Sequence, residues 1–343
     1  MKKYILDSGA FTAFNKGTKI DIDEYIEFVR LHSNLFDYCI NLDVIGNAKD
    51  SYHNWKYIQS KGVNVIPVFH LGTDEKWLLR YLKQTDYIGI GAIAKLNTNQ
   101  RVMGLTRIWK DYLIDSNQKA KVKVHGLGLT SIGIVLRYPW YSLDSASCIK
   151  NAGFGSIFLP SITKGKDNPN YFSLISVRIS DQAKVQTGIR NTFLAQPKII
   201  QEQYIELFKE IGIKLGTLTY QTIRPRRLKS VRRKSDPPKL FTMPISPPEE
   251  GQTLANSVEA RYKWNLHYWE KLVERIPSYD RKFDPTTLPR EEINTTNKKV
   301  NVYTVCNTTK YLQIALDTIQ RQGVLLSYVA TNDNLIKMLQ HEK

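Results

Sequence analysis

Three aspartates in this chain stand where an apolar run stops. Asp7 closes Tyr4-Ile5-Leu6 and is followed at once by Ser8-Gly9-Ala10-Phe11. Asp43 closes Tyr38-Cys39-Ile40-Asn41-Leu42, and Asp144 closes Trp140-Tyr141-Ser142-Leu143. Two histidines hold the same position, His70 after Val65-Ile66-Pro67-Val68-Phe69 and His125 after Val122-Lys123-Val124. An apolar run that ends in such a group, before a small flexible turn, is how a strand of an α/β protein delivers chemistry to the rim of its sheet. Carboxylates gathered there can ligate a metal, act as acid and base, or divide into nucleophile and acid, as in glycosyl transfer. Phosphoryl transfer would often add a Gly-rich phosphate loop or a lysine beside the acids, and Lys95 is the single candidate for that. One strand-end aspartate is as readily a helix N-cap or an Asx turn; three at one rim, with two histidines, ask for a common explanation.

The elements that must position these groups follow from hydrophobic periodicity. From residue 1 to about 160, β-like runs (3–6, 38–44, 63–69, 87–93, 121–127, 140–143, 156–159) alternate with helical patterns (21–30, 50–60, 74–83, 101–114, 131–137 and a short one to Gly153). The helix over 21–30 has acids in its first turn, where the macrodipole favours them. Gly62 reads as a C′ residue, and Thr73 or Asp74 as an N-cap. Strict βα alternation predicts a parallel sheet with right-handed crossovers, and seven or eight steps favour a TIM-like (β/α)8 barrel. The eighth strand is expected at 173–179 or 184–187. No GxGxxG follows the first strand, which argues against a dinucleotide site.

The barrel is expected to occupy 1–220, closed by a helix over 198–212. Residues 221–255 read as a basic, Pro-rich arm carrying Arg224, Arg226, Arg227, Lys229, Arg232, Arg233 and Lys234. Residues 256–343 read as a helix over 257–275 and then a small C-terminal α/β appendage (299–305, 311–320, 323–329). The aromatics of that helix, Tyr262, Trp264, Tyr268 and Trp269, are expected to pack onto the barrel rather than stack on bases.

The charge points to a partner. Lys and Arg number 49 against 32 Asp and Glu, a net charge of +17 in a chain of 343 residues. An excess of that size suits a nucleic acid or another polyanion. The apolar fraction of 42% and charged fraction of 24% are those of a globular chain. Cys39, Cys148 and Cys306 are too scattered for a disulfide framework or a four-ligand zinc site, so neither metal nor cofactor is expected. Neither a signal peptide nor an apolar run long enough for a membrane span is visible, and a cytoplasmic, reduced protein is expected.

The motifs then acquire a family likeness. Asp7-Ser8-Gly9-Ala10-Phe11 resembles the Asp-Ser-Gly-Gly-Phe motif of tRNA-guanine transglycosylases. The order of the later segments is similar too: an aspartate at the second strand, the Gly-rich Gly89-Ile90-Gly91-Ala92, then His125-Gly126-Leu127-Gly128, then Asp144. Taken with Asn41–Ile45, Pro67–His70 and Tyr138–Ser145, the set looks most like the phage 7-deazaguanine DNA transglycosylases, over about residues 1–160. The resemblance implies a (β/α)8 barrel that cuts guanine from its sugar within a polynucleotide and installs a 7-deazaguanine. Asp144 would be the nucleophile at C1′, and Asp7 the acid/base that assists the departing base and deprotonates the incoming one. The same matching leaves open an exchange of these two roles. Asp43 would accept from N1–H and the 2-amino group, and His70 stands where the tRNA enzymes carry a base-contacting Gln. Backbone groups of Gly91 and Ala92 would complete the base pocket, Phe11 would stack on the base, and Ser8, His125 and Gly126 fall in the same motifs.

One departure shapes the substrate. The tRNA enzymes carry a CxCxxC zinc site after the barrel, and this chain has none. That leans the reading to duplex DNA with its target nucleotide flipped out, plus a free 7-deazaguanine base, with tRNA as the alternative acceptor. Accessory proteins and a catalytically silent nucleic-acid-binding barrel stay open. Changing Arg226, Arg227, Arg232 and Arg233 to alanine is expected to flatten the salt dependence of DNA binding by about 3 to 4 in the slope of log K against log salt. An unchanged slope would take the arm out of the interface.

Overall fold

The computed structural model describes residues 4–91, 96–129, 131–168, 171–172, 175–180, 192–223, 241–245, 251–284, 300–306, 308–318 and 324–329. Its strands are β1 (Tyr4–Asp7), β2 (Tyr38–Cys39), β3 (Val68–His70), β4 (Tyr87–Gly91), β5 (Lys123–Gly126), β6 (Ser142–Ser145), β7 (Ser156–Leu159), β8 (Ile175–Arg178), β9 (Thr219–Ile223), β10 (Phe241–Ile245), β11 (Asn301–Cys306) and β12 (Val324–Val329). The α-helices are α1 (Ala10–Lys16), α2 (Ile22–His32), α3 (Ala48–Ser60), α4 (Lys76–Leu82), α5 (Thr98–Ile108), α6 (Ile132–Arg137), α7 (Ser147–Gly153), α8 (Lys198–Lys209), α9 (Val258–Val273) and α10 (Thr309–Thr318). The protein is therefore mixed α/β.

Eight strands form one sheet in the order β2-β1-β12-β11-β6-β5-β4-β3. Every pairing within it is parallel. A further parallel bridge joins Ile40, just past β2, to Ile66, just before β3, so the strands at the two ends of that order are themselves hydrogen-bonded. Side chains from both ends and from the middle share one apolar cluster: Ile5, Ile40, Ile66, Val68, Tyr87 and Tyr303. The ring of Tyr87 lies 5.0 Å from that of Tyr38 and 5.3 Å from that of Tyr141, edge-on in both cases, as aromatic quadrupoles prefer.

Helix starts show local sequence at work. Asp21 Oδ1 accepts from the N–H groups of Asp23 and Glu24 at the start of α2. Asn47 does so for Asp50 at α3, and Asn97 with Gln100 forms a reciprocal capping box at α5. Gly62 has φ 77°, as the end of α3 requires. At α4 the N-cap position falls on Glu75, whose side chain makes no capping bond, while Asp74, one of the two expected caps, lies just ahead and accepts from Lys76 N at 2.9 Å.

Two expectations about the C-terminal half are corrected. The α/β body does not end near 220: β11 pairs with β6 and β12 with β1, so the supposed appendage supplies two inner strands of the main sheet. The run at 156–159 does not continue the parallel series either. It pairs antiparallel with β8, which falls in one of the two stretches expected to hold the eighth strand, in a sheet of their own; the other, 184–187, lies outside the described residues. The chain divides into two compact units accordingly, residues 1–146 with 269–343, and residues 147–268. Loop-closure entropy grows only with the logarithm of length, so a long insertion between two neighbouring strands costs little.

The second unit has its own core, in which Ile157, Leu159, Val177, Phe193, Phe208, Leu254 and Trp264 are buried. The indole of Trp264 meets Phe208 edge-on at 4.6 Å and donates to Phe158 O at 2.6 Å. Tyr262, Trp264, Tyr268 and Trp269 are all buried, but Trp264, expected to pack onto the barrel, belongs to this unit's own core. Arg261, wholly buried, donates to the carbonyls of Ala152, Leu254 and Ala255, as a buried polar group must. Strands β9 and β10 pair antiparallel with Ile223 opposite Phe241. Arg224, Arg226, Arg227, Lys229, Arg232, Arg233 and Lys234 lie outside the described residues. Among the described residues no helix is long and apolar enough to cross a membrane.

Because β11 and β12 stand between β6 and β1, a chain ending at residue 284 is expected to lose the cooperative unfolding transition of the first unit, followed by near-UV circular dichroism. Retention of that transition would make residues 300–329 the dispensable appendage first expected.

Candidate functional site

Successive side chains of a strand alternate between faces, so residues i and i+2 share one. That parity builds the site. Ile5 and Val68 belong to the apolar cluster, and two residues further on the same face come Asp7 and His70. Tyr87 is followed in the same way by Gly89 and Gly91, and Ser142 by Asp144. The polar groups therefore sit one layer above the core, at the C-terminal ends of β1, β3, β4 and β6.

The glycines of β4 make room. A Cβ on Gly91 would come within 3.0 Å of His70 Cδ2 and 3.2 Å of Val68 Cγ1, and one on Gly89 within 2.8 Å of Leu127 Cδ1. Asp43 lies in the loop after β2. Ser51 of α3 holds that loop through Val44 N at 2.9 Å, and Asn54 through Leu42 O at 2.8 Å. The outcome is a short contact, His70 Nε2 to Asp43 Oδ2 at 2.5 Å, with the two side chains 7% and 9% exposed.

Asp144 has different partners. Gly128 N–H donates to its Oδ1 at 2.6 Å, and His125 Nε2 stands 3.4 Å from the same oxygen. Gly128 has φ 65°, a left-handed conformation that glycine adopts without strain. The other nitrogen of His125 meets Ser142 Oγ at 2.6 Å, and Ser142 Oγ meets the Tyr87 hydroxyl at 2.6 Å. Asp144 remains 19% exposed, more open than Asp43 at 9%.

Asp7 has the weakest support, with Gly9 N–H at 3.5 Å from Oδ1. Burial, and then the negative charges of Asp144 and Asp43, push its carboxyl from 3.8 up to about 7, against a smaller opposing pull from the Gly9 and Ser8 backbone. The same repulsion shows that the three aspartates expected at one rim are brought together. An acid poised near neutrality beside a solvent-accessible carboxylate can give and take a proton within one reaction.

The remaining expected residues divide. Gly91 lies at the rim beside His70. Ser8 is buried in the turn after β1, where its Oγ is 3.5 Å from Ala10 N, and Gly9 adopts φ 75° to start α1. Phe11 projects from α1 and is 54% exposed. His125 is 2% exposed and turned to Asp144 and Ser142. Gly126 faces the other way, where a Cβ would strike Leu129 and Leu143, so its smallness serves packing. Ala92 and Lys95 lie outside the described residues. Reading the sequence for strand-end acids passed over Gly128, Ser142 and Tyr87. Parity with Asp144 points to Ser142, and a glycine just past the end of β5 points to Gly128; nothing local points to Tyr87.

Among the described residues no group of three or more His, Cys, Asp or Glu side chains is arranged to hold a metal ion. The cysteines are free and buried. The chain matches no family model, no curated protein and no solved structure.

The raised Asp7 has a thermodynamic signature. The folded carboxyl holds its proton to about pH 7, whereas an ordinary one at 3.8 has lost it, so stability falls as pH rises from about 4 to 7 and levels off above. Asp7→Asn removes this loss. Urea unfolding is expected to show the variant gaining up to ~4 kcal/mol over wild type at pH 8 and little at pH 4. An equal difference at both pH values would contradict the raised acid.

Proposed function

We propose that this chain is a base-exchange transglycosylase that replaces guanine in DNA by a free 7-deazaguanine. The observation that carries the reading is the contrast between two neighbouring carboxyls: Asp7 pushed up to about 7, and Asp144 half-buried, with Gly128 N–H donating to one oxygen and His125 Nε2 standing 3.4 Å from the same oxygen. That division suits an acid/base and a nucleophile. The motif order from Asp7 to Asp144 adds the substrate class. The closed pairing of eight parallel strands, through Ile40 and Ile66, supports a (β/α)8 barrel with these groups at the C-terminal rim, where such barrels carry their sites.

In the first half-reaction Asp144 Oδ2 attacks C1′ of the flipped nucleotide. The C1′–N9 bond breaks, its electron pair leaves with guanine, and guanine takes the proton of Asp7. A glycosyl ester on Asp144 results. In the second half, Asp7 removes the N9 proton of the incoming base, N9 attacks C1′, and the Asp144 carboxylate is expelled. Two displacements retain the sugar's configuration. Asp43 keeps acceptor capacity for the N1–H and 2-amino donors of guanine while His70 orients it. The net charge of +17 supports a polyanionic acceptor, and the lack of a CxCxxC zinc site favours DNA over tRNA.

Guanine-labelled duplex DNA and tRNA, each incubated with 7-cyano-7-deazaguanine, test this directly. Label is expected to leave DNA only when the base is added, and Asp144→Ala is expected to abolish release. Release from tRNA alone would move the acceptor, and no release from either would remove the transglycosylase reading.

A further inference from the structure

We propose that His125 is a positioning residue for Asp144, fixed in one tautomer by Tyr87 and Ser142, rather than a contact of the substrate base. The role assigned to the far end of this chain rests on Asp144 being the nucleophile; the two hydrogen bonds to Ser142 and the His125–Asp144 contact do not.

The links run Tyr87 hydroxyl to Ser142 Oγ, 2.6 Å, Ser142 Oγ to His125 Nδ1, 2.6 Å, and His125 Nε2 to Asp144 Oδ1, 3.4 Å. For a neutral imidazole one direction of protons satisfies them all. Tyr87 donates to Ser142, Ser142 donates to Nδ1, and Nε2–H points at the carboxylate. In the reverse direction the Tyr87 proton would need an acceptor that the described residues do not offer, and a bare Nε2 would face Asp144 lone pair to lone pair. Burial pushes the Tyr87 hydroxyl well above its ordinary range, so it stays a donor.

The imidazole is in no position to meet a base. It is 2% exposed, and the Tyr303 ring stands edge-on to it at 6.0 Å. Its effect reaches the reaction through Asp144. With Gly128 N–H, it places two donors on Oδ1, which sets the rotation of the carboxylate and leaves Oδ2 as the oxygen free to attack.

Nitrogen-15 NMR of histidine-labelled protein tests the tautomer without any turnover, with the ring signals assigned by their loss in His125→Gln. At neutral pH, Nε2 is expected to be protonated and Nδ1 bare, and Ser142→Ala is expected to release the ring into a tautomer mixture. A proton on Nδ1 in wild type, or no response to Ser142→Ala, would overturn the proposal. In the exchange assay His125→Leu is expected to lower kcat about 100-fold. KM for 7-cyano-7-deazaguanine should stay within about twofold. His125→Gln, which keeps an N–H at the ε position, is expected to recover at least about tenfold of that loss. A raised KM with unchanged kcat would make His125 a base contact. Equal loss in both variants with a lowered Tm would make it merely structural. Either result would overturn the proposal, whereas wild-type protein inactive in exchange but showing the expected tautomer would refute the transglycosylase reading alone.

Discussion

Carboxylates crowded together away from water repel one another, and the rim of this sheet is arranged around that repulsion. Each of the three aspartates meets it differently. Asp43 is held by the imidazole of His70. Asp144 receives a backbone N–H from Gly128 and faces the imidazole of His125. Asp7, with little beyond a long contact to Gly9, meets it by keeping its proton to about neutral pH. The differentiation of three identical side chains into three chemical states comes from their neighbours. It costs stability at Asp7 above about pH 4.

The scaffold beneath bears this cost through packing. Ile5, Val68, Tyr87 and Tyr303 fill the layer under the carboxylates, and their strands come from widely separated parts of the chain. Parallel pairing forces all C-terminal strand ends to one side, and period-two alternation sends every second residue to the inner face. Together these two rules suffice to gather Asp7, His70, Gly91 and Asp144. The glycines of β4 then leave the volume that His70 occupies when it reaches Asp43. Tyr87 links the layers, since its ring packs among the aromatics below and its hydroxyl begins the relay that ends at Asp144.

The alternation of β and α, the strand-end acids and most helix limits were legible because they are local. Asp21, Asn47 and Asn97 cap helices with side chains that reach only two or three residues, and the 3.6-residue pattern of α8 can be counted from its letters. The pairing of β11 and β12 was not legible. The runs at 156–159 and 301–306 look alike in composition, and either could serve as a strand after β6. What separates them is which edge each can satisfy, and for β11 that choice is made across nearly half the chain.

The sequence by itself determined that an α/β protein would present Asp7, Asp144, His70 and His125 at strand ends, on a chain whose excess of cations suits a polyanion; Asp43, expected at a strand end too, lies instead in the loop after β2. These follow from residue type and from periods of two and 3.6, which any short stretch carries within itself. Only the tertiary structure decided which of those groups face one another. It turned His125 towards Asp144 and Ser142, set His70 on Asp43, brought Tyr87 to Ser142, and divided the chain into two units at 146 and 269. The physical reason is that an acid's proton affinity and an imidazole's tautomer depend on charges and donors a few ångströms away in space, supplied here by strands far apart in the chain.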